Sequence, residues 1–389
     1  MVNFTENMNR SVVSRRQMLR TGAALGVLAF LKLPASVMAL PKSEEDAVPL
    51  KFLDAQPEGK GLKWEKLESW ITPNDEVFAV SHYGTPNVDL ESHHLEITGL
   101  VKKSRTFTVD ELKKRRKKDV IATLECSGNS SSPGFLGAIG NIRWTGTPLA
   151  PLLQDCAPAK RAIEVVFFGA DDKVEKIRDR EYIQNFARSL SLVDALRPDV
   201  ILAWEMNGQP LSKEHGAPLR LIVPGWFGIA WVKWLTRIEL LDRRYMNKFM
   251  ARDYVTIRGG DRDTRTVWRE TSVGPIDVKS VTARALKLKN GSILLTGAAW
   301  TDGTPLKRVE VKIDNGPWQE AKIEKEARGQ YSWRFWNFDW ANPTAGDHII
   351  ISRAVDAEGR VQPSSEDPEI KMKRTYWEAN QQWPRRLRV

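Results

Sequence analysis

The stretch Val120-Ile121-Ala122-Thr123-Leu124-Glu125-Cys126-Ser127-Gly128-Asn129 is the most informative in the chain. Its first five residues form a short apolar run rich in β-branched side chains, which predicts a buried strand. The strand runs straight into Cys126, and the small, turn-forming residues behind it let the backbone come close to something large. A thiolate is the form of cysteine that ligates a metal, and metal binding itself drives the deprotonation. Taken alone, the stretch describes a buried structural cysteine at least as well. The surrounding sequence has to decide.

Outward from this stretch, residues 40 to about 70 form a charged, extended lead-in. From Phe78 to about Arg258, strand patterns alternate with short helix signals. Leu95–Val101, Ala162–Gly169 and Leu219–Val223 read as strands. Thr147-Pro148-Leu149 reads as a helix start, with a capping hydroxyl and a proline at the first helical position. The expectation for residues 40–260 is an α+β domain. After Gly259-Gly260 the texture changes to short strands, among them Ser292–Gly297, Arg308–Ile313 and His348–Ala354, separated by turn signals such as Asp314-Asn315-Gly316. That spacing predicts a β-sandwich over 275–373, with 374–389 as a C-terminal tail.

Composition narrows the function classes. At 389 residues, 41% of them apolar, the chain is long enough for two cored domains. Its fifteen tryptophans fit core packing or a ligand cleft. Ser14-Arg15-Arg16-Gln17-Met18-Leu19, the apolar run Ala23–Leu33 and the small residues near Ala39 follow the order of an export signal over 1–39. The arginine pair favours the twin-arginine route to the periplasm. The apolar run is too short to span a bilayer, so a permanent membrane anchor is not expected. Removing this segment takes away five basic groups and one acid and lowers the formal charge from +10 to about +6. The basic run Lys113–Lys118 follows a capping box at Thr108–Glu111 and reads as the solvated end of a helix, not as a nucleic-acid site. Cys126 and Cys156 are the two cysteines, and a disulfide between them is open. The chain has no C-x-x-C-H haem attachment, no phosphate-binding G-x-x-x-x-G-K-[ST] and no H-E-x-x-H.

Three further segments settle the reading of Cys126. They are Glu205-Met206-Asn207-Gly208, then His215-Gly216-Ala217-Pro218-Leu219-Arg220, then Val223-Pro224-Gly225 through Val232-Lys233-Trp234-Leu235. With Glu125-Cys126-Ser127-Gly128-Asn129 before them, this ordered set resembles the sulfite-oxidase family over about residues 75–375. The resemblance implies a molybdopterin-binding domain followed by an immunoglobulin-like dimerisation domain, hence a homodimer. It implies a molybdenum cofactor with Cys126 as the protein ligand, and oxygen-atom transfer as the reaction. Phe78-Ala79-Val80-Ser81-His82 matches a pterin-contacting segment, and Asp171 falls at a pterin-contacting aspartate. His215, Arg220, Trp231, Val232 and Lys233 would hold the pterin and its phosphate, and Tyr254 would reach the reacting oxygen. The implied substrate is sulfite or a related small sulfur oxyanion, and the implied acceptor a separate c-type cytochrome. A reductase for another small oxo compound and a non-catalytic molybdopterin scaffold are the competing readings. Two arginines of sulfite-oxidising relatives are replaced, by Val80 and by Ser131, and Phe135 is the nearest counterpart of a pocket tryptophan. Arg143 or Arg252 could supply charge from another direction.

Overall fold

In the computed structural model, the described residues are 47–54, 61–132, 135–324 and 329–389. The export signal expected over 1–39 lies outside them. The described chain is built mainly of strands, which corrects the α+β expectation. Among the described residues the longest helix is Leu149–Asp155, seven residues. Thr147 does not cap it, because that residue still belongs to the strand Ile139–Pro148. The capping box at Thr108 and Glu111 does form, and the helix Val109–Lys113 it opens leaves the basic run largely solvated.

Two five-stranded sheets occupy the first part of the described chain. One orders Arg105–Thr108, His94–Gly99, Leu235–Leu241, Glu164–Ile177 and Arg180–Ser191, with one parallel pairing between His94–Gly99 and Leu235–Leu241. The other orders Arg220–Ile222, Ile201–Met206, Ile139–Pro148 and Lys118–Glu125, and Gln209–Pro210 pairs with Ile201–Met206. The segment Glu205-Met206-Asn207-Gly208 is the hairpin between these last two. Asn207 and Gly208 both take positive φ, 53° and 79°, as the two-residue turn that matches strand twist requires. The Asn207 side chain ties the turn to the Thr72 carbonyl and to Asn74.

Residues Val255–Arg262 and Arg265–Ser272 form a two-stranded ribbon whose second strand is exposed. Beyond it lies an eight-stranded sheet ordered Val48–Leu50, Lys279–Lys287, Ile293–Trp300, Arg334–Trp340, Gln319–Ile323, Leu306–Ile313, Asp347–Asp356 and Pro384–Arg388. It folds around one apolar core that includes Leu295, Val311, Trp336 and Ile350. Both ends of the described chain are strands of this sheet. Val48–Leu50 pairs with Lys279–Lys287, and Pro384–Arg388 pairs with Asp347–Asp356. The stretches expected as a lead-in and a tail are therefore partly structural.

The strand Lys118–Glu125 touches the segment that leads into the strand Arg334–Trp340 of the eight-stranded sheet. Thr123 N–H donates to the Tyr331 carbonyl at 2.9 Å, and Trp333 N–H donates to the Thr123 hydroxyl at 2.9 Å. Behind the cysteine, Glu125 is fully buried and accepts from Lys279 Nζ at 2.6 Å, Trp300 Nε1 at 2.8 Å and Asn129 Nδ2 at 3.0 Å. Residues of the C-terminal sheet thus fix the loop that presents Cys126.

Candidate active site

A cleft opens beside the end of the strand Lys118–Glu125. Phe78, Ala79, Val80, Ser81, His82, Cys126, Asp171, Arg220, Trp231, Lys233 and Tyr254 all line it, so six separate segments converge there. Two expected residues do not line it. Val232 is fully buried, and its carbonyl accepts from Leu221 N–H at 2.8 Å. His215 sits just behind the wall. Its Nε2 faces the Val77 carbonyl at 3.3 Å, its Nδ1 pairs with the Ser212 hydroxyl at 2.8 Å, and its carbonyl accepts from Arg220 at 3.2 Å. It joins the 78–82 segment to Arg220. Gly216, at φ 105°, follows it; a Cβ there would lie 2.9 Å from the Lys233 side chain. Only a glycine lets that lysine stem pass.

Cys126 is held by its own loop. Its N–H donates to the Ala138 carbonyl at 2.9 Å, and its carbonyl accepts from Asn129 N–H at 2.9 Å. Both cysteines are free, which closes the disulfide option: Cys126 faces the cleft and Cys156 is buried elsewhere. Burial pushes the Cys126 thiol up, while N–H groups of Gly128 and Asn129 favour its thiolate. Among the described residues no group of three or more His, Cys, Asp or Glu side chains is placed to hold a metal. A metal at Cys126 would need its other ligands from a cofactor.

Tyr254 stands immediately before the strand Val255–Arg262, and its hydroxyl lies 2.5 Å from His82 Nε2. His82 stacks on Phe186 at 4.9 Å and meets the Phe249 ring edge-on at 5.0 Å. Burial, then the charges of Lys233, Lys248 and Arg188, lower its pKa to about 4, so the imidazole is neutral at neutral pH. Burial and the neighbouring Cys126 raise the Tyr254 phenol, which therefore stays protonated.

The other end of the cleft is polar and charged. Burial drops the Arg220 pKa to about 9, and burial with the Arg220 charge brings Lys233 to about 7. Burial raises Asp171 to about 6. Asp171 reaches the cleft from a break in strand register between Phe168 and Asp172, the device by which a bulge re-aims a side chain. Oγ of Ser127, Oδ1 of Asp171 and Nε of Arg220 are buried without a hydrogen-bond partner. Such atoms are costly in a folded protein unless a ligand completes them.

Sequence reasoning missed Ser127, Phe186 and Trp234 in the wall, although Ser127 and Trp234 lie inside the quoted motifs. It also missed a strap from the C-terminal segment. Trp377 stacks on Tyr254 at 4.2 Å, and Glu378 N–H donates to the Ser127 carbonyl at 2.7 Å. Tyr376 and Phe135 cover Gly128, where an added Cβ would meet them at 3.2 and 3.4 Å. Nothing in local pattern marks these residues as neighbours of Cys126.

Comparison with known proteins agrees with this geometry. Residues 82–249 match the family described as "Oxidoreductase molybdopterin binding domain", and residues 269–378 match "Mo-co oxidoreductase dimerisation domain". Mitochondrial sulfite oxidase of Rattus norvegicus is 32% identical over 327 residues, covering 77% of this chain and 59% of that protein. The chain therefore spans less than two thirds of that relative. Sulfite oxidase of Arabidopsis thaliana is 28% identical, covering 77% of this chain and 84% of the relative. The solved structure of the sulfane dehydrogenase SoxCD from Paracoccus pantotrophus superposes with a TM-score of 0.70 at 25% identity, covering 90% of this chain and 91% of that one. With both domain families matched in order around the Cys126 cleft, the chain belongs to the sulfite oxidase family of molybdopterin-dependent oxidoreductases.

Proposed function

We propose that this protein oxidises sulfite or a related small sulfur compound at Mo-molybdopterin and passes the electrons to a separate c-type cytochrome. The observation that carries the reading is the convergence of a cysteine thiol, a Tyr254–His82 pair and three partnerless polar atoms on one cleft. Those features fit the cofactor. Cys126 would be the metal's thiolate ligand, and Asp171, Arg220 and Lys233 would hold the pterin and its phosphate. Bound there, the molybdenum centre supplies two-electron oxygen-atom transfer.

The chain's own residues position and exclude. His82, neutral and packed between Phe186 and Phe249, fixes the Tyr254 hydroxyl, which donates to an oxygen of the bound substrate. The ring of Trp377 over Tyr254 limits water at that end. His215 and Val232 act at one remove, by holding the wall segments.

The eight-stranded sheet supports an immunoglobulin-like reading, because its strands from Lys279 onward follow the four-plus-three order of that fold. With the dimerisation family matched, we assign a homodimer. Residues 1–39 are assigned as a twin-arginine export signal, which places the mature protein in the periplasm. Among the described residues no helix is long and apolar enough to cross a membrane.

A second reading has its own support. Val80 lines the cleft at 48% exposure where sulfite-oxidising relatives would place an arginine. That favours another small oxo compound, handled in either direction. Turnover of molybdenum-loaded protein with sulfite, using cytochrome c and then ferricyanide, separates the two. Sulfite-dependent reduction of either acceptor is expected, and failure with both removes the sulfite assignment. The Cys126→Ser variant should remain folded and lose its molybdenum by elemental analysis; full retention of metal would remove Cys126 as the ligand.

A further inference from the structure

The Tyr254–His82 pair faces a cleft that lacks the two guanidinium groups replaced at Val80 and Ser131. Arg143 and Arg252 do not stand in for them. Neither lines the cleft, and Arg252 is exposed. A different arginine lies behind the pair. Arg188, on the strand Arg180–Ser191, is 1% exposed. It donates to the Phe249 carbonyl, to the Val273 carbonyl at 2.6 Å and to the Ser272 hydroxyl at 3.3 Å. None of these acceptors is a carboxylate, its Nε has no partner, and the carboxylate whose charge reaches it, Glu378, does so without a hydrogen bond. A guanidinium buried among neutral acceptors is costly unless its charge is used.

Each of those acceptors belongs to an element that holds the pair. The Phe249 ring packs on His82, Val273 N–H donates to the Tyr254 carbonyl at 2.9 Å, and Ser272 pairs with Val255. Its charge is felt at both members, since it helps to depress His82 and partly offsets the rise at Tyr254. No motif pointed to this residue.

We propose that Arg188 is a positioning residue that supplies, from behind the Tyr254–His82 pair, the fixed positive charge holding an anionic substrate at the Tyr254 hydroxyl. This rests on the anionic substrate assigned above. One buried cation takes over from groups that relatives place in the cleft itself, acting through the phenol without touching the substrate.

The test compares molybdenum-loaded wild type, Arg188→Lys and Arg188→Met, with sulfate as a non-reacting anion. Sulfate affinity is read by calorimetry, and sulfite turnover by ferricyanide reduction. Arg188→Met should weaken sulfate roughly tenfold or more, the scale of one unit charge acting through protein at a distance, with the kinetic loss mainly in KM. Arg188→Lys should recover most of the affinity, because the charge returns while the bridge between the two carbonyls does not. Unchanged sulfate affinity in Arg188→Met overturns the proposal, as does equal loss in both variants, which would make the side chain a clamp on backbone carbonyls. If Arg188→Met loses its metal, Arg188→Lys decides alone: near-native affinity supports the proposal and a tenfold loss overturns it. Wild type that binds no sulfate also overturns it. Wild type that binds sulfate yet never oxidises sulfite defeats the substrate assignment only, and the affinity comparison still decides on Arg188.

Discussion

The eight-stranded sheet and the Cys126 cleft handle burial in opposite ways. In the sheet, the strand Asp347–Asp356 begins by alternating exposed and buried residues, and the inward set joins Leu295, Val311 and Trp336 in an apolar core. The few unpaired polar atoms there, such as Nε1 of Trp336, are scattered and do not meet around one space. The cleft instead buries Arg220 and Asp171, with Arg188 behind its wall, and leaves polar atoms unpaired around Cys126. An apolar core is stable by itself, whereas a polar interior left incomplete draws its stability from what binds to it. Of the connections that cross between the two regimes, the Lys279–Glu125 contact is a buried ion pair.

That connection gives the largest expected effect. Lys279→Met leaves the Glu125 carboxylate buried beside the cysteine loop, and breaking such a pair costs about 3–5 kcal/mol. Urea unfolding should show the loss, and molybdenum content should fall with it because Asn129 and the loop are anchored on Glu125. A loss below about 1 kcal/mol would mean that the sheet does not brace the cleft. The next effect lies wholly on the cleft side. Tyr254→Phe should lower kcat/KM by roughly tenfold to a hundredfold, the worth of one hydrogen bond to a charged group. Molybdenum content and melting temperature should stay near wild type. Unchanged turnover would remove the Tyr254 hydroxyl from the reaction.

The same contrast explains what could be read in advance. Strand periodicity depends on an apolar face, so His94–Gly99, Lys118–Glu125 and the sheet strands near 293, 308 and 348 were legible from pattern alone. Helix content was overestimated because Thr147-Pro148 satisfies a local rule that the pairing of Ile139–Pro148 overrides. In the cleft, residues inside contiguous motifs were legible, but roles depended on the family resemblance. Asn207-Gly208 and Gly216 turned out to be backbone devices that shape the wall. Asp171 depends on a register break, and Tyr376, Trp377 and Arg188 depend on tertiary approach. No one-dimensional pattern encodes such meetings, because the partners lie on separate strands or far apart in the chain.

A smaller effect checks the sheet. Ile350→Val removes one methylene from a filled core and should cost about 1 kcal/mol, read as a lowered urea midpoint with turnover unchanged. If turnover falls as well, the sheet and the cleft are coupled beyond the Lys279–Glu125 link.

The last effect depends on pH and on the cofactor. In the folded metal-free protein, burial and the Arg220 charge depress Lys233 from 10.5 to about 7. A depressed pKa contributes stability that is present above the unfolded value and lost as pH falls through the folded one. Metal-free wild type should therefore lose stability between about pH 10 and pH 7, a loss that Lys233→Met escapes. The melting-temperature advantage of Lys233→Met should be widest near pH 6 and close to zero near pH 10. Loading the cofactor should reverse the sign, because the lysine then meets a phosphate that repays its charge. A gap independent of pH, or one that loading leaves unchanged, would place Lys233 among the merely packed residues of the wall and move the anion-holding role to Arg220 alone.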